Sequence, residues 1–180
     1  VRKEIMEPAI EAMSQDGTPY KGVLYAGLMI TPTGPKVLEF NCRMGDPEAQ
    51  VLLPIVKTDI LDVMLSTIDG NLKATPLDWG VSASVGVVMA SRGYPGEYRR
   101  GIEIQGLETL DRDTLVFHAG TSRTADDHSR IVASGGRVLT VVGFKPTVEE
   151  AREHVYNNID RISFEGSHYR RDIGAVQNSS

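Results

Sequence analysis

Glu39, Asn41 and Arg43 alternate along Val37-Leu38-Glu39-Phe40-Asn41-Cys42-Arg43. On a strand, side chains two apart leave the same face, so these three stand in a row with Leu38, Phe40 and Cys42 behind them. A carboxylate and an amide oxygen about 7 Å apart along a strand are hard ligands suited to Mg²⁺, which takes one or two protein groups and fills its other positions with water and nucleotide phosphate. Arg43 adds a planar fork for a phosphoryl or carboxylate oxygen. These are the parts of a phosphoryl-transfer site, where positioning and charge neutralisation carry most of the catalysis. An ordinary half-buried strand with a wet polar face shows the same alternation, so spacing alone leaves both readings open.

A second set lies in Ser91-Arg92-Gly93-Tyr94-Pro95-Gly96-Glu97-Tyr98-Arg99-Arg100-Gly101. Gly93 and Gly96 permit close backbone approach, and Arg92, Arg99 and Arg100 against Glu97 make a basic loop in an acidic chain. The alternative is a solvated turn whose tyrosines pack on a sheet. His118, His128, His154 and His168 lack ligand spacing and read as structural or surface residues, and Asp126-Asp127-His128 reads as a polar turn.

The elements that must hold these residues can be read from pattern. Apolar residues at helical spacing predict a helix over Ile5 to Met13, closed by Asp16-Gly17, with Pro8 in its first turn or at a kink. Gly22 to Thr31, the turn Thr31-Pro32-Thr33-Gly34 and Lys36 to Asn41 predict a β-hairpin. Gly45-Asp46-Pro47-Glu48 breaks the strand, and Ala49 to Val56 continues at helical spacing. A second helix is expected from an Asp59 cap to Gly70, burying Ile60, Val63, Met64 and Ile68. Thr75 to Gly80 is the expected boundary between domains 1–80 and 81–180. Beyond it, Ser84 to Ala90, Thr114 to Ala119, Arg130 to Ala133 and Val138 to Gly143 predict an antiparallel sheet. A last helix starts at the capping box of Thr147 and Glu150 and carries Val148, Ala151, Val155, Ile159 and Ile162 on one face. Val176 to Ser180 is expected to lie outside the fold.

Composition narrows the classes. The 180 residues are 41% hydrophobic and 24% charged, with net charge −5 and one cysteine, Cys42. A chain of this size buries about 70% of its surface without staples. One cysteine makes no intramolecular disulfide and no Cys pair for zinc, which fits a reducing compartment. The longest apolar run, Val23 to Ile30, is far short of the about 20 residues that span a bilayer. An acidic balance argues against general nucleic-acid binding. The start, Val1-Arg2-Lys3-Glu4-Ile5, reads as an entry into mid-helix, as in a piece of a longer chain.

Several separated stretches resemble one family. Tyr25 to Ile30, Pro35 to Glu48, Gly93 to Tyr98 and Phe117 to Thr121 closely resemble the phosphoribosylamine–glycine ligases (glycinamide ribonucleotide synthetases) of the ATP-grasp superfamily. The likeness runs from about Glu4 to Gly174 in the family's order, with Gly135 to Leu139 and Tyr169 to Gly174 fitting its late motifs. It implies an α+β fold: the carboxy-terminal part of an ATP-grasp domain, with antiparallel strands and helices, over 1–80, then a small antiparallel-sheet plus helix domain over 81–180.

The implied reaction is ATP-dependent ligation of glycine to 5-phosphoribosylamine through glycyl phosphate, in de novo purine biosynthesis. Glu39 and Asn41 match the family's Mg²⁺ ligands, with Mn²⁺ as the alternative ion, and together with Met29 under the adenine they form the ATP site. Arg43 matches the arginine that neutralises the transferred phosphoryl group. Asp46 and Glu48 follow the metal strand, where the Asp-Pro shapes the turn or meets the glycine amine. Many relatives place another acidic ligand on the preceding strand, and Gly27 falls at that position. Arg99, Arg100, Gly93 and Tyr94 suit the 5-phosphate of phosphoribosylamine, Arg99 foremost. The implied partners are the two small substrates and an amino-terminal part of the same enzyme, with neither nucleic acid nor membrane. The implied location is the cytoplasm or an organellar matrix, and the chain alone is expected not to ligate. After Gly174 the sequence departs from the family pattern. Two rivals are another ATP-grasp carboxylate–amine ligase or carboxylase, and a non-catalytic binding or assembly module derived from one.

Overall fold

The computed structural model describes residues 1–74, 76–80, 83–125 and 129–175. It divides into two units, Val1–Ala49 with Val56–Trp79, and Gln50–Ile55 with Gly80–Ser180. Asp126-Asp127-His128, the tail from Val176 and part of the expected boundary, Thr75, lie outside the described residues.

In the first unit a wide turn, Arg2–Met6, leads into α1 (Glu7–Gln15), where Pro8 occupies the first turn, a position whose N–H needs no helical partner. Strands β1 (Tyr25–Thr31) and β2 (Gly34–Asn41) form the expected antiparallel hairpin. Tyr25 pairs with Asn41 and Gly27 with Glu39, and a register shift follows Gly27. The helix α2 (Glu48–Leu52) tightens into a narrower helical turn over Leu53–Ile55, so helical backbone runs close to the expected Ala49 to Val56.

Helix α3 (Ile60–Asp69) starts where the Asp59 side chain accepts from Leu61 N–H and ends at Gly70 in the left-handed region (φ 72°). Its expected burial does not hold. Met64 is 50% and Ile68 69% exposed, and Ile60 and Val63 are half-buried. The spacing is right, but the apolar face opens on a groove of about 470 Å³ bordered by Val23 and Met44 instead of closing on a core. Among the described residues of this unit only Gly45 is buried.

The second unit holds the core. Strands β3 (Ala83–Ala90), β8 (Arg137–Lys145) and β5 (Leu115–His118) make one antiparallel sheet in the order β3-β8-β5. Short strands β4 (Ile102–Glu103), β7 (Ile131–Ala133) and β6 (Thr121–Arg123) make a second, in the order β4-β7-β6. Strand β8 is central and buried from Val138 to Gly143, which takes covers on both faces. Helix α4 (Val148–Ile159) covers one, with Ala151, Val155 and Ile159 fully buried, and the expected capping box is formed. Val148, in its first turn, stays 40% exposed. Val51 reaches the other face through Gly86, where an added Cβ would lie 2.5 Å from Val51 Cγ1. Gly143 gives α4 its close approach, since a Cβ there would stand 2.7 Å from His154 Cδ2 and 2.9 Å from Val155 Cγ2.

Candidate functional site

The hairpin of the first unit puts Glu39 and Asn41 two residues apart on β2, and Asn41 Nδ2 donates to Glu39 Oε1 at 3.0 Å. That bond uses the Asn41 N–H and Glu39 Oε1, and the Asn41 amide oxygen and Glu39 Oε2 are the remaining hard oxygens of the pair. Such a set fits a Mg²⁺-type cation, which asks for one or two protein oxygens. Gly27, opposite Glu39, leaves room for the Glu39 side chain: a Cβ at Gly27 would lie 3.0 Å from Glu39 Cγ. Met29 sits farther along β1 and is 53% exposed.

Arg43 does not continue the row, because β2 ends at Asn41; it is exposed in the bend that follows, its Nη1 donating to Met44 O at 2.9 Å. Asp46 is exposed in the turn between β2 and α2, ahead of a cis Pro47. Glu48, the last residue of the strand-breaking stretch Gly45-Asp46-Pro47-Glu48, closes this corner. The Tyr25 hydroxyl donates to Glu48 Oε1 at 3.3 Å, and the Glu48 carboxylate lies over Gly45, where an added Cβ would be 2.0 Å from Oε2. The Glu48 charge, then burial, push the Tyr25 hydroxyl above its ordinary value, so it stays a proton donor.

In the second unit the arginine loop leaves β3 and borders a cavity of about 370 Å³ lined by Arg92, Glu97, Tyr98, Arg99, Glu165 and Gly166, among others. Of the residues expected to hold phosphate, Arg99 lines it and Arg100 does not; the Arg100 guanidinium lies 5.8 Å from the Tyr98 ring centroid. Gly93 and Tyr94 shape the loop instead of lining the cavity. Gly93 (φ 97°) comes so close to Glu97 that a Cβ would meet its carbonyl oxygen at 1.9 Å, and the Tyr94 ring lies against Gly136. Ser91 anchors the loop, its hydroxyl donating to Gly135 O at 2.9 Å and its N–H to Gly136 O at 2.8 Å.

Glu165 arrives from beyond α4. Its segment is clamped by paired backbone bonds of Gln105 with Ser163 and of Ala90 with His168. Arg99 Nη1 then donates to Glu165 Oε1 at 3.1 Å. This acid, 66 residues from Arg99, escaped sequence reasoning because no local motif carries it.

Asp111, Asp113 and His154 form a further cluster with atoms within 4.8 Å of one another. Arg161 Nη1 donates to Asp111 Oδ1 at 2.9 Å and Lys145 Nζ to Asp113 Oδ2 at 2.5 Å, which holds both carboxyls below their ordinary range. Two cations already balance the two acids, so the cluster is a structural knot. His154 and Thr114 share a 2.9 Å bond, as His118 and Thr121 share one of 3.0 Å, and the backbone of His168 pairs with Ala90.

Comparison with known proteins covers both units. Residues 84–176 match the family model of the phosphoribosylglycinamide synthetase C domain, and residues 1–49 match that of the same enzyme's ATP-grasp (A) domain. The phosphoribosylamine–glycine ligase of Caldanaerobacter subterraneus subsp. tengcongensis is 50% identical over 175 residues, 97% of this chain and 41% of the relative. The trifunctional purine biosynthetic protein adenosine-3 of Gallus gallus is 48% identical over 97% of this chain and 17% of its own length. The crystal structure of a phosphoribosylamine–glycine ligase from Thermotoga maritima matches with a TM-score of 0.78 at 35% identity, over 94% of this chain and 41% of that one. The chain spans about two fifths of the length of these ligases.

Proposed function

Because this chain belongs to the phosphoribosylglycinamide synthetase family, we propose that it carries the cation-and-nucleotide strand and a substrate cavity of an ATP-dependent carbon–nitrogen ligase of purine biosynthesis. In this reading residues 1–80 are part of the ATP-grasp domain and 81–180 are the carboxy-terminal sheet-and-helix domain. A γ-phosphoryl group of ATP passes to the glycine carboxylate. The amine of 5-phosphoribosylamine then attacks the carbonyl carbon of glycyl phosphate, the C–O bond to phosphate breaks, and glycinamide ribonucleotide, ADP and phosphate result.

Each residue has a part suited to its geometry. Glu39 and Asn41 would hold a divalent cation, Mg²⁺ or Mn²⁺, which when bound neutralises the nucleotide phosphates. Arg43 neutralises charge on the transferred phosphoryl group. Met29 underlies the adenine, Asp46 meets the glycine amine, and Arg99 takes the 5-phosphate with the loop that Gly93 and Tyr94 shape. Arg100, stacked near Tyr98, supplies charge from outside the cavity. The amino-terminal part of the same enzyme would complete the nucleotide clamp. Neither nucleic acid nor membrane enters the reading, and no helix of the described residues is long and apolar enough to cross a membrane. The proposed location is the cytoplasm or an organellar matrix.

The observation that carries the proposal is the Asn41–Glu39 bond, which ties a carboxylate and an amide together two residues apart on β2, inside a segment matched by the ATP-grasp model. A non-catalytic assembly module would have no use for that pair. Calorimetric titration of the chain with ADP, with and without Mg²⁺, tests it. Binding is expected to need the cation and to weaken at least about ten-fold in Glu39→Ala and in Asn41→Ala, whereas equal binding by all three proteins would overturn the assignment. A coupled ADP-release assay with glycine and phosphoribosylamine is expected to show no turnover by the chain alone.

A further inference from the structure

Among the residues lining the cavity of the second unit are two arginines, Arg92 and Arg99, and two glutamates, Glu97 and Glu165. Their formal charges cancel. A bare phosphate entering it would gain two cations and face two anions, so the lining suits a ligand that also brings hydrogen-bond donors. The Arg99–Glu165 pair states the requirement most directly. Both side chains are exposed, 76% and 72%, and exposed ion pairs are weak enough for a ligand to part them. What replaces the contact must give Arg99 an anion and Glu165 a donor.

A sugar phosphate meets both demands. Its phosphoryl oxygens accept from guanidinium forks, and its vicinal hydroxyls donate to a carboxylate, as ribose hydroxyls do to acidic side chains in nucleotide sites. The size of the cavity, about 370 Å³, lies within the range of roughly 300 to 1,000 Å³ usual for small ligands. The placement of Glu165 is built into the backbone. Ser163 and His168 are tied on either side of it, and Gly166 (φ 77°) lets the turn lie against Arg92, where a Cβ would be 2.8 Å from Arg92 Cβ.

We propose that Glu165 reads the ribose of a phosphoribosyl ligand, accepting from its hydroxyls while Arg92 and Arg99 hold the phosphate. The proposal rests on the reading of this cavity as the phosphoribosylamine site. Calorimetric titration of the full 180-residue chain with ribose 5-phosphate, 2-deoxyribose 5-phosphate, inorganic phosphate and glycine tests it, for the wild type, Glu165→Ala and Arg99→Ala. Both substitutions alter exposed side chains, and thermal melting checks that the variants fold.

The wild type is expected to prefer ribose 5-phosphate over its 2-deoxy analogue by about ten-fold, the value of one hydrogen bond to a charged acceptor. In Glu165→Ala that ratio falls to about one, while inorganic phosphate binds more tightly because Arg99 loses its internal competitor. Arg99→Ala weakens all phosphate-bearing ligands. An unchanged ribose preference in Glu165→Ala, with phosphate binding still lost in Arg99→Ala, would overturn the role of Glu165 and leave the phosphate site standing. Saturable glycine binding that both variants lose would replace the sugar phosphate with an amino acid. Absence of ribose 5-phosphate binding by the wild type, or its indifference to Arg99→Ala, would overturn both readings.

Discussion

Asn158→Ala should be among the most damaging single changes in the second unit. Asn158 is 0% exposed, and its amide joins three groups. Nδ2 donates to Asp111 Oδ2 at 3.1 Å and to His154 O at 2.9 Å, and Oδ1 accepts from Asp111 N–H at 2.9 Å. Each buried hydrogen bond contributes about 1 kcal/mol net, so truncation should cost about 3 kcal/mol, more if the Asp111 N–H is left without an acceptor. With a urea slope near 2 kcal/mol/M, that moves the unfolding midpoint, read by far-ultraviolet circular dichroism, down by about 1.5 M. Asn158→Asp separates the bonding argument from simple loss of volume. It keeps the acceptor but turns both donor positions toward acceptors, one of them the Asp111 carboxylate. The introduced carboxyl is buried beside a like charge, so its folded pKa lies above its unfolded value. Its tolerated neutral form is therefore present at low pH and lost as pH rises through the carboxylate range. This variant should be impaired most at neutral pH and recover relative to the wild type near pH 4. A midpoint shift below about 0.3 M for Asn158→Ala, or an aspartate variant with no pH signature, would refute the reasoning.

The wild type should show the opposite pH trend. Asp111, Asp113 and Asp172 are held below their ordinary pKa by hydrogen bonds from Arg161, Lys145 and Arg170 respectively, so the stability they add is full above about pH 4 and is lost on further acidification through their folded values. Urea midpoints measured from pH 7 down to pH 3 should fall, and Asp113→Asn should flatten part of that fall; a constant midpoint would count against these pairs. Gly143→Ala places a methyl 2.7 Å from His154 Cδ2 and 2.9 Å from Val155 Cγ2 on the buried face of α4, and overpacking of this kind costs about 1–3 kcal/mol. Its melting temperature should drop, and an unchanged or higher one would mean that α4 shifts freely.

Legibility followed the range of the signals. The hairpin, the Asp59 and Gly70 ends of α3 and the Thr147–Glu150 box are written within a few residues of themselves, and each stands where the pattern put it. Strands β4 and β6 are two and three residues long, too short for any periodicity to show, and they exist because β7 offers both its edges. The burial of Met64 and Ile68 was misjudged for a related reason: spacing reports which face is apolar, not whether anything lies against it. The same limit governs the sites. Glu39 and Asn41 are neighbours on one strand, so their alignment could be foreseen, and the structure adds the hydrogen bond between them. Glu165 reaches Arg99 only through two backbone bridges that join distant segments, and no window on the sequence contains both.

The two sites therefore depend on the fold in different ways. The separation of the Glu39 and Asn41 oxygens is fixed by two residues of extended backbone and one side-chain bond, so it survives even on a two-stranded hairpin that alone is marginal in water. The cavity needs the whole second unit. Arg99 stands on a loop anchored to Gly135 and Gly136, and Glu165 on a segment pinned at Gln105 and Ala90, so the Arg99–Glu165 distance is set by both sheets and α4 together. Damage to the core through Asn158 or Gly143 should accordingly reach sugar-phosphate binding before it reaches the cation pair. Binding of ribose 5-phosphate and Mg²⁺-dependent binding of ADP, measured on Gly143→Ala at one temperature, should separate, the first weakening while the second holds.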